Sequence, residues 1–389
     1  MSTYPSITYS KPFRIISTIV VGVIFFLIGY TVSNTLLSSK IFTDIDNTPS
    51  VVDDTLNTIL TPTAESAEQK PYTMLFFGDM MFDRGVATHI RKRGGDYVFA
   101  SGTKALTKDY DLVIANLEGP ITSHTSRTID ANGKAIPGFS FTFPTSTAVL
   151  LNESGIDIVS LANNHADNFG REGLTQTIQY LEDAGVQYFG NPTNSLFDIA
   201  SSSYVHCPLP SRPADSTNPS CIAFIGYHQF TYKNEAHILA EIARYEADPR
   251  IAFTVVFPHW GEEYQKTPNR NQISLAHQWV DSGADLIIGA HPHVVQSIEV
   301  YKDTYIYYSL GNYIFDQYFS YDTTHGIAVG ITLTPDLQQV QSTEVIPIDI
   351  TGTIVRKTND TDAKKILDDI KRMHQSTTTS TSTSPTTVR

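Results

Sequence analysis

The sequence predicts a layered α/β domain, and two patterns carry that expectation. Short apolar runs of strand length alternate with amphipathic stretches of helical period, and polar clusters recur just past the apolar runs, where open α/β sheets place their ligands. Strands are expected at residues 73–77, 112–115, 156–161, 222–225, 251–257 and 286–288, with helices at 173–184, 235–247 and 273–282 between several of them. The pattern then changes: 294–300, 304–308, 327–334 and 340–348 follow as strands without helices, which predicts a second, antiparallel region.

A chain of 389 residues with 41% hydrophobic and 17% charged residues has the profile of a packed globular protein. Its formal charge of −13 argues for no nucleic-acid partner, because phosphate binding needs a basic surface and the one basic run is Arg91-Lys92-Arg93. An anionic substrate would have to be met locally, by metal ions or a few arginines, against the overall field.

Residues 15–37 carry no charge and follow Lys11 and Arg14. A helix of that length spans a hydrocarbon core of roughly 30 Å. The expectation is a single-pass protein of the cell membrane, with residues 1–14 cytoplasmic and the body outside; a cleaved signal peptide is the rival. Residues 38–70 read as a polar tether, 71–350 as the folded domain, 351–374 as a C-terminal helical extension, and the Ser/Thr-rich 375–389 as a disordered tail. The two cysteines, Cys207 and Cys221, close a Pro/Ser-rich loop and read as a disulfide in an exported protein.

The chemistry lies at the strand ends. Asp79 follows one apolar run, Asn116 and Glu118 another, and Asn163, Asn164 and His165 a third; His259, Glu262 and Glu263 follow a fourth, and His291 and His293 a fifth. Singly, an Asp or Asn there is more often a turn or cap residue, and a histidine a structural group. Together, carboxylates, an amide and three histidines are the donor set of a divalent metal such as Mn, Zn or Fe, with one or two ions. The one-residue spacing of His291 and His293 lets both rings reach neighbouring positions of one cluster.

The ordered motifs GDMMFDR, NLEG, LANNH, HWGEEY, GAHPHVVQ and SLGNYIFD resemble the capsule-synthesis protein A family, associated with poly-γ-glutamate capsules. That family in turn resembles the calcineurin-like metallophosphoesterase superfamily. The resemblance implies a four-layer αββα sandwich of the metallophosphatase type, with Asp79 and His293 on a first metal, Glu118 bridging, Asn164, His259 and His291 on a second, and catalytic His165 beside the reacting bond. Arg84, Asn116, Glu263 and Asn312 are the candidate substrate-binding residues. Two departures stand out. Met81 occupies the place of the superfamily's first-motif histidine, and Asn168 stands where an aspartate is usual, with Asp167 one residue earlier.

Three functions follow as expectations. The first is a metal-dependent hydrolase or transferase acting on an anionic extracellular polymer such as poly-γ-glutamate. The second is a non-catalytic accessory subunit of a capsule synthase complex with membrane subunits, and the third a cell-wall metallophosphoesterase.

Overall fold

Period-two burial explains how one strand serves two cores. In β1 (Tyr72–Met80), Leu75 and Phe77 face one side and Met74 and Phe76 the other, all fully buried. After it come α1 (Arg84–Arg93), α2 (Gly102–Thr107), β2 (Leu112–Leu117), α3 (Thr147–Glu153), β3 (Ile158–Ser160), α4 (Gly170–Ala184) and β4 (Gln187–Phe189). The second stretch holds β5 (Ser203–His206), β6 (Cys221–His228), α5 (Glu235–Glu246), β7 (Ile251–His259), α6 (Arg270–Asp281) and β8 (Leu286–Ile288). The last comprises β9 (Ile298–Tyr301), β10 (Thr304–Tyr307), β11 (Asn312–Ile314), β12 (His325–Leu333), β13 (Val340–Thr351), β14 (Ile354–Lys357) and α7 (Asp360–Thr381). This is a computed structural model, and it describes residues 70–99, 102–128, 130, 138–192, 201–208, 221–230 and 235–381, all within the unit Glu68–Arg389.

The described residues form a mixed α/β fold of two sheets and seven α-helices. The eight-stranded sheet runs β14-β13-β12-β1-β2-β3-β4, with β11 beside the end of β1; the six-stranded sheet runs β5-β6-β7-β8-β10-β9. Three apolar clusters hold these parts. Met74, Phe76 and Ile158 of the first sheet meet Phe224, Val255 and Ile288 of the second. Leu75, Phe77 and Val113 pack on Val86, Leu151, Leu174 and Leu181 from the helices of the first half. Ala223, Ile225 and Val256 pack on Ile238, Ile242 and Trp279 of α5 and α6. One sheet face thus covers the other sheet while the opposite faces bind helices.

Three parallel strands share a starting device. Asp111, Asp157 and Asp285 each precede a strand, and their carboxylates accept from the neighbouring strand at Thr73 N (2.9 Å), Val113 N (2.8 Å) and Thr254 N (2.8 Å). Each aspartate's own N–H returns a bond to the same residue's carbonyl. A side chain completes the ladder where the strand has no earlier residue to do so, and this fixes strand register. Helix α6 begins on a capping box, Asn269 with Gln272.

Four expectations need correction or relocation. The single-pass anchor is not supported: among the described residues no helix is long and apolar enough to cross a membrane, and residues 15–37 lie outside them. The helix-poor strands do not form a separate antiparallel region. β9 and β10 extend one sheet, with β10 parallel to β8, while β12–β14 extend the other and β11 lies parallel to β1. Residues 351–374 are not helical throughout; β13 turns at Gly352 (φ 59°) into β14, and the helix starts only at Asp360. Helix α7 then runs to Thr381, into the tract expected to be disordered, and residues 382–389 lie outside the described part, as does the expected tether up to residue 69. Cys207 and Cys221 are disulfide-bonded, tying the end of β5 to the start of β6.

Candidate functional site

Because the sheets are stacked, carboxylates at the ends of β1 and β2 meet imidazoles at the ends of β7 and β8. Asp79 sits opposite both Asn116 and Asn312 in the ladder. Its position depends on Gly78, where a Cβ would lie 1.8 Å from the Gly311 carbonyl oxygen, so β1 and the turn before β11 approach only with glycine there. Across the gap His291 N donates to Asp79 Oδ2 at 3.1 Å. His293 Nδ1 lies 3.3 Å from the same oxygen, and its Nε2 is 3.8 Å from Glu118 Oε1. His259 Nε2 is 3.9 Å from Glu118 Oε1, 3.1 Å from His291 Nδ1 and 2.8 Å from Asn164 Oδ1.

The His291-Pro292-His293 turn is strained. His291 and His293 have φ of 97° and 57°, a region that non-glycine residues enter at a cost of order 1–3 kcal/mol each. The strain turns both rings toward the carboxylates instead of opposite ways.

Asp79, Glu118, His259, His291 and His293 are all buried. Burial pushes the Glu118 carboxyl well above its usual range, which the neighbouring His293 only partly offsets. Burial also pushes His259 well down and His291 to about 2. For His293 the same burial is outweighed by Glu118 and Asp79, which hold it up at about 9. Glu118 Oε2 is buried and has no hydrogen-bond partner among the described residues. Buried carboxylates and imidazoles with an orphan oxygen are a set that a divalent cation would complete, and the mixed N and O donors suit Mn, Zn or Fe. Ligand atoms of Glu118, His291 and His293 lie within 4.8 Å of one another, as do those of Asp79, Glu118 and His259. Glu118 is common to both groups, and His291 Nδ1, 3.1 Å from His259 Nε2, adjoins the second group as well as His293.

The other expected residues divide by what they touch. Asn116 Nδ2 joins Asp79 Oδ1 (2.7 Å) to His259 Nδ1 (3.2 Å), and its oxygen accepts from Asn163. Asn312 Oδ1 meets His293 Nδ1 at 2.9 Å while Nδ2 donates to Gln317 Oε1 and Thr323 O. Both amides are buried and have no hydrogen left for a substrate, so they position Asp79, His259 and His293 instead. Glu263 is exposed, and its charge reaches Glu118 and His293. Arg84 pairs with Asp316 at 2.5 Å and lies over Phe141 and Phe315. Met81 is buried in the helix-side core, and its sulfur accepts from Asp83 N at 3.0 Å.

His165 Nε2 faces Glu118 Oε1 at 3.9 Å, and its Nδ1 lies 3.3 Å from Asn168 Oδ1. Asn168, not Asp167, is therefore the residue that orients it. Burial pushes His165 down to about 4.

Sequence reasoning missed two neighbours. His228, ending β6, pairs in register with His259 and carries the same signal as the others, a polar residue closing an apolar run. Phe230 is partly exposed with its ring 4.3 Å from His291. An isolated aromatic gives no such signal.

A model of the bacterial capsule synthesis protein PGA_cap family matches residues 73–317. The chain belongs to this family. It is 31% identical to the capsule biosynthesis protein CapA of Bacillus anthracis over 265 residues, covering 64% of this chain and 61% of that one. It is 28% identical to the PGA biosynthesis protein CapA of Bacillus subtilis, covering 66% of this chain and 67% of that one. The match thus spans about three fifths of the first relative's length. Among solved structures, a phosphatase from Mycoplasma pneumoniae is 13% identical with a TM-score of 0.45, covering 77% of this chain and 97% of that one. At that score the likeness carries no argument about chemistry. The family's matched region contains every strand-end donor of the cluster.

Proposed function

We propose that this family member has a divalent-metal, hydrolase-type site in a four-layer αββα sandwich of the metallophosphatase type, and that it acts on a capsule polymer of the poly-γ-glutamate class. The observation that carries the reading is the buried meeting of two carboxylates and three imidazoles around the orphan Glu118 oxygen. The capsule is drawn from the name of the Bacillus anthracis relative, and the polymer from the PGA in the name of the Bacillus subtilis one.

Asp79, Glu118, Asn164, His259, His291 and His293 would hold the metal, which when bound would supply Lewis acidity and acidify water. The chain's own groups do the rest. Asn116 and Asn312 fix the rings and carboxylates in orientation. With Asn168 Oδ1 accepting at Nδ1, His165 presents Nε2 toward the cluster, where it can take or hold a proton beside the reacting bond. Arg84, whose charge reaches Glu118 and whose Nε finds no partner among the described residues, is a cation that could meet a substrate carboxylate.

One observation favours a second reading, an accessory protein that binds but does not cleave. Met81 supplies no ligand where a histidine would, leaving Asp79 and His293 thinly supported. The test is hydrolysis of a γ-glutamyl amide and of a phosphodiester with chelator, then with Mn or Zn restored. Cleavage abolished and restored supports the enzyme; stoichiometric metal with neither bond cleaved supports the binding protein.

A further inference from the structure

The loop that leaves β7 also carries a strained residue beside the cluster. Tyr264 has φ 63°, a region where a bulky side chain is an outlier. Its N–H donates to the Pro292 carbonyl at 2.8 Å, between His291 and His293, so the loop and the histidine turn hold each other. Both segments, and the stretch from Asn312 to Thr323 considered with them, lie within the described residues.

That conformation sets an exposed aromatic beside a buried imidazole. The Tyr264 ring centroid is 6.1 Å from that of His293, yet the tyrosine is 42% exposed while His293 is buried. Phe319 meets the ring edge-on at 5.2 Å, and Gln317 Nε2 donates to the phenol oxygen at 3.2 Å. Gln317 is fixed from its other end, because its Oε1 accepts from Asn312 Nδ2 while Asn312 Oδ1 meets His293 Nδ1. A run of hydrogen bonds thus leads from the exposed tyrosine to a candidate metal ligand. The charges of Arg84 and Glu118 both reach the phenol, and that of Arg84 reaches Glu118, so the three share one neighbourhood. Since the phenol oxygen already accepts from Gln317, what it has left to offer is its proton, which exposed Glu263 is near enough to take in the free protein.

We infer that Tyr264 is a substrate-binding and specificity residue, its hydroxyl donating to a main-chain amide carbonyl of the polymer while its ring packs on the methylene pair of a γ-linked glutamate unit. The inference deepens the proposed function and rests on its polymer. It does not rest on the metal, since Tyr264 is in neither group of candidate ligands. The carbonyl is the acceptor because Glu263 beside the phenol repels a carboxylate, which Arg84 is suited to meet. A neutral donor next to an apolar ring matches a chain in which amides alternate with methylene pairs. An α-linked chain has no methylene in its main chain, so the ring tells the two linkages apart.

The test uses the full chain, with and without zinc. The probes are a short γ-linked glutamate oligomer and an α-linked one of equal length; calorimetry reads affinity, and proton cross-relaxation from tyrosine rings to the oligomer's methylenes reads contact. Tyr264→Phe should weaken binding of the γ-linked oligomer about three- to tenfold, one hydrogen bond's worth, with zinc affinity and the cross-relaxation unchanged. Tyr264→Ala should abolish the cross-relaxation and cost about fourfold more, one methylene's worth, with no such added loss for the α-linked oligomer. Tyr264→Phe binding like wild type, no cross-relaxation in the wild type, or zinc affinity falling in step with oligomer affinity would each overturn the inference. If zinc and oligomer bind but the Tyr264 variants match wild type, the proposed function stands and this inference falls. If zinc fails to bind while oligomer binding depends on Tyr264, the metal reading falls and this one stands; if the wild type binds neither oligomer, the polymer falls and this inference with it.

Discussion

Asp83 offers the sharpest test of how the site is braced. Its carboxylate is fully buried and accepts from Thr128 Oγ1 (2.6 Å), Thr142 N (2.8 Å), Arg84 N (2.8 Å) and Ser126 Oγ (3.0 Å). These bonds join the end of β1 to the segments carrying Ser126 and Phe141, and Phe141 packs 4.5 Å from His165. Asp83→Asn turns an NH2 toward at least one donor and removes the charge that strengthens the rest. Two impaired bonds at roughly 1.5 kcal/mol each give a loss of about 3 kcal/mol. For a domain of roughly 300 residues, at about 2.1 cal/mol/K of unfolding entropy per residue, that is a fall in Tm of about 5 °C. Asp83→Ala should cost more, because every donor loses its acceptor. Thermal and urea unfolding of the full chain, followed by circular dichroism, reads both. Variants within about 0.5 kcal/mol of wild type would refute the idea that this carboxylate braces the site.

Three further outcomes are expected. Burial raises Asp285 to about 7, with Glu246 adding to the effect, so the folded state binds its proton more tightly than the unfolded chain does. Its contribution to stability therefore falls as pH rises from about 4 to 7; in urea titrations Asp285→Asn should flatten that slope and gain about 1–2 kcal/mol at pH 7.5, keeping its oxygen for Thr254 N. Asn312→Ala should leave folding largely intact but release His293, lowering metal affinity about 10- to 100-fold by calorimetry. Cys207→Ser should lower stability by about 3 kcal/mol, matched by reductant on the wild type, since the bridge closes 14 residues.

Much of this was legible in the sequence for physical reasons. Apolar runs placed β1, β2, β6 and β7, and the strand-end rule brought Asp79, Glu118, Asn164, His259, His291 and His293 into one neighbourhood. Partner choice was not legible. Period two tells which residues share a face but not which strand lies alongside, so the split of β9–β10 from β12–β14 between two sheets was hidden. The roles of Asn116 and Asn312 were equally opaque, because an amide at a strand end serves a ligand or a neighbour alike until its hydrogens are counted. His228 could have been found by the rule that found His259; Asn168 could not be told from Asp167 without the 3.3 Å contact to His165.

The central claim is that the buried cluster is a metal centre. Its most direct test is metal analysis of the purified full chain after exposure to Mn or Zn, beside Glu118→Gln and His291→Ala. The account expects about one or two ions per chain, falling at least roughly tenfold in affinity in either variant while the fold persists. Wild-type protein that retains no stoichiometric metal, or variants that bind it equally well, would contradict it.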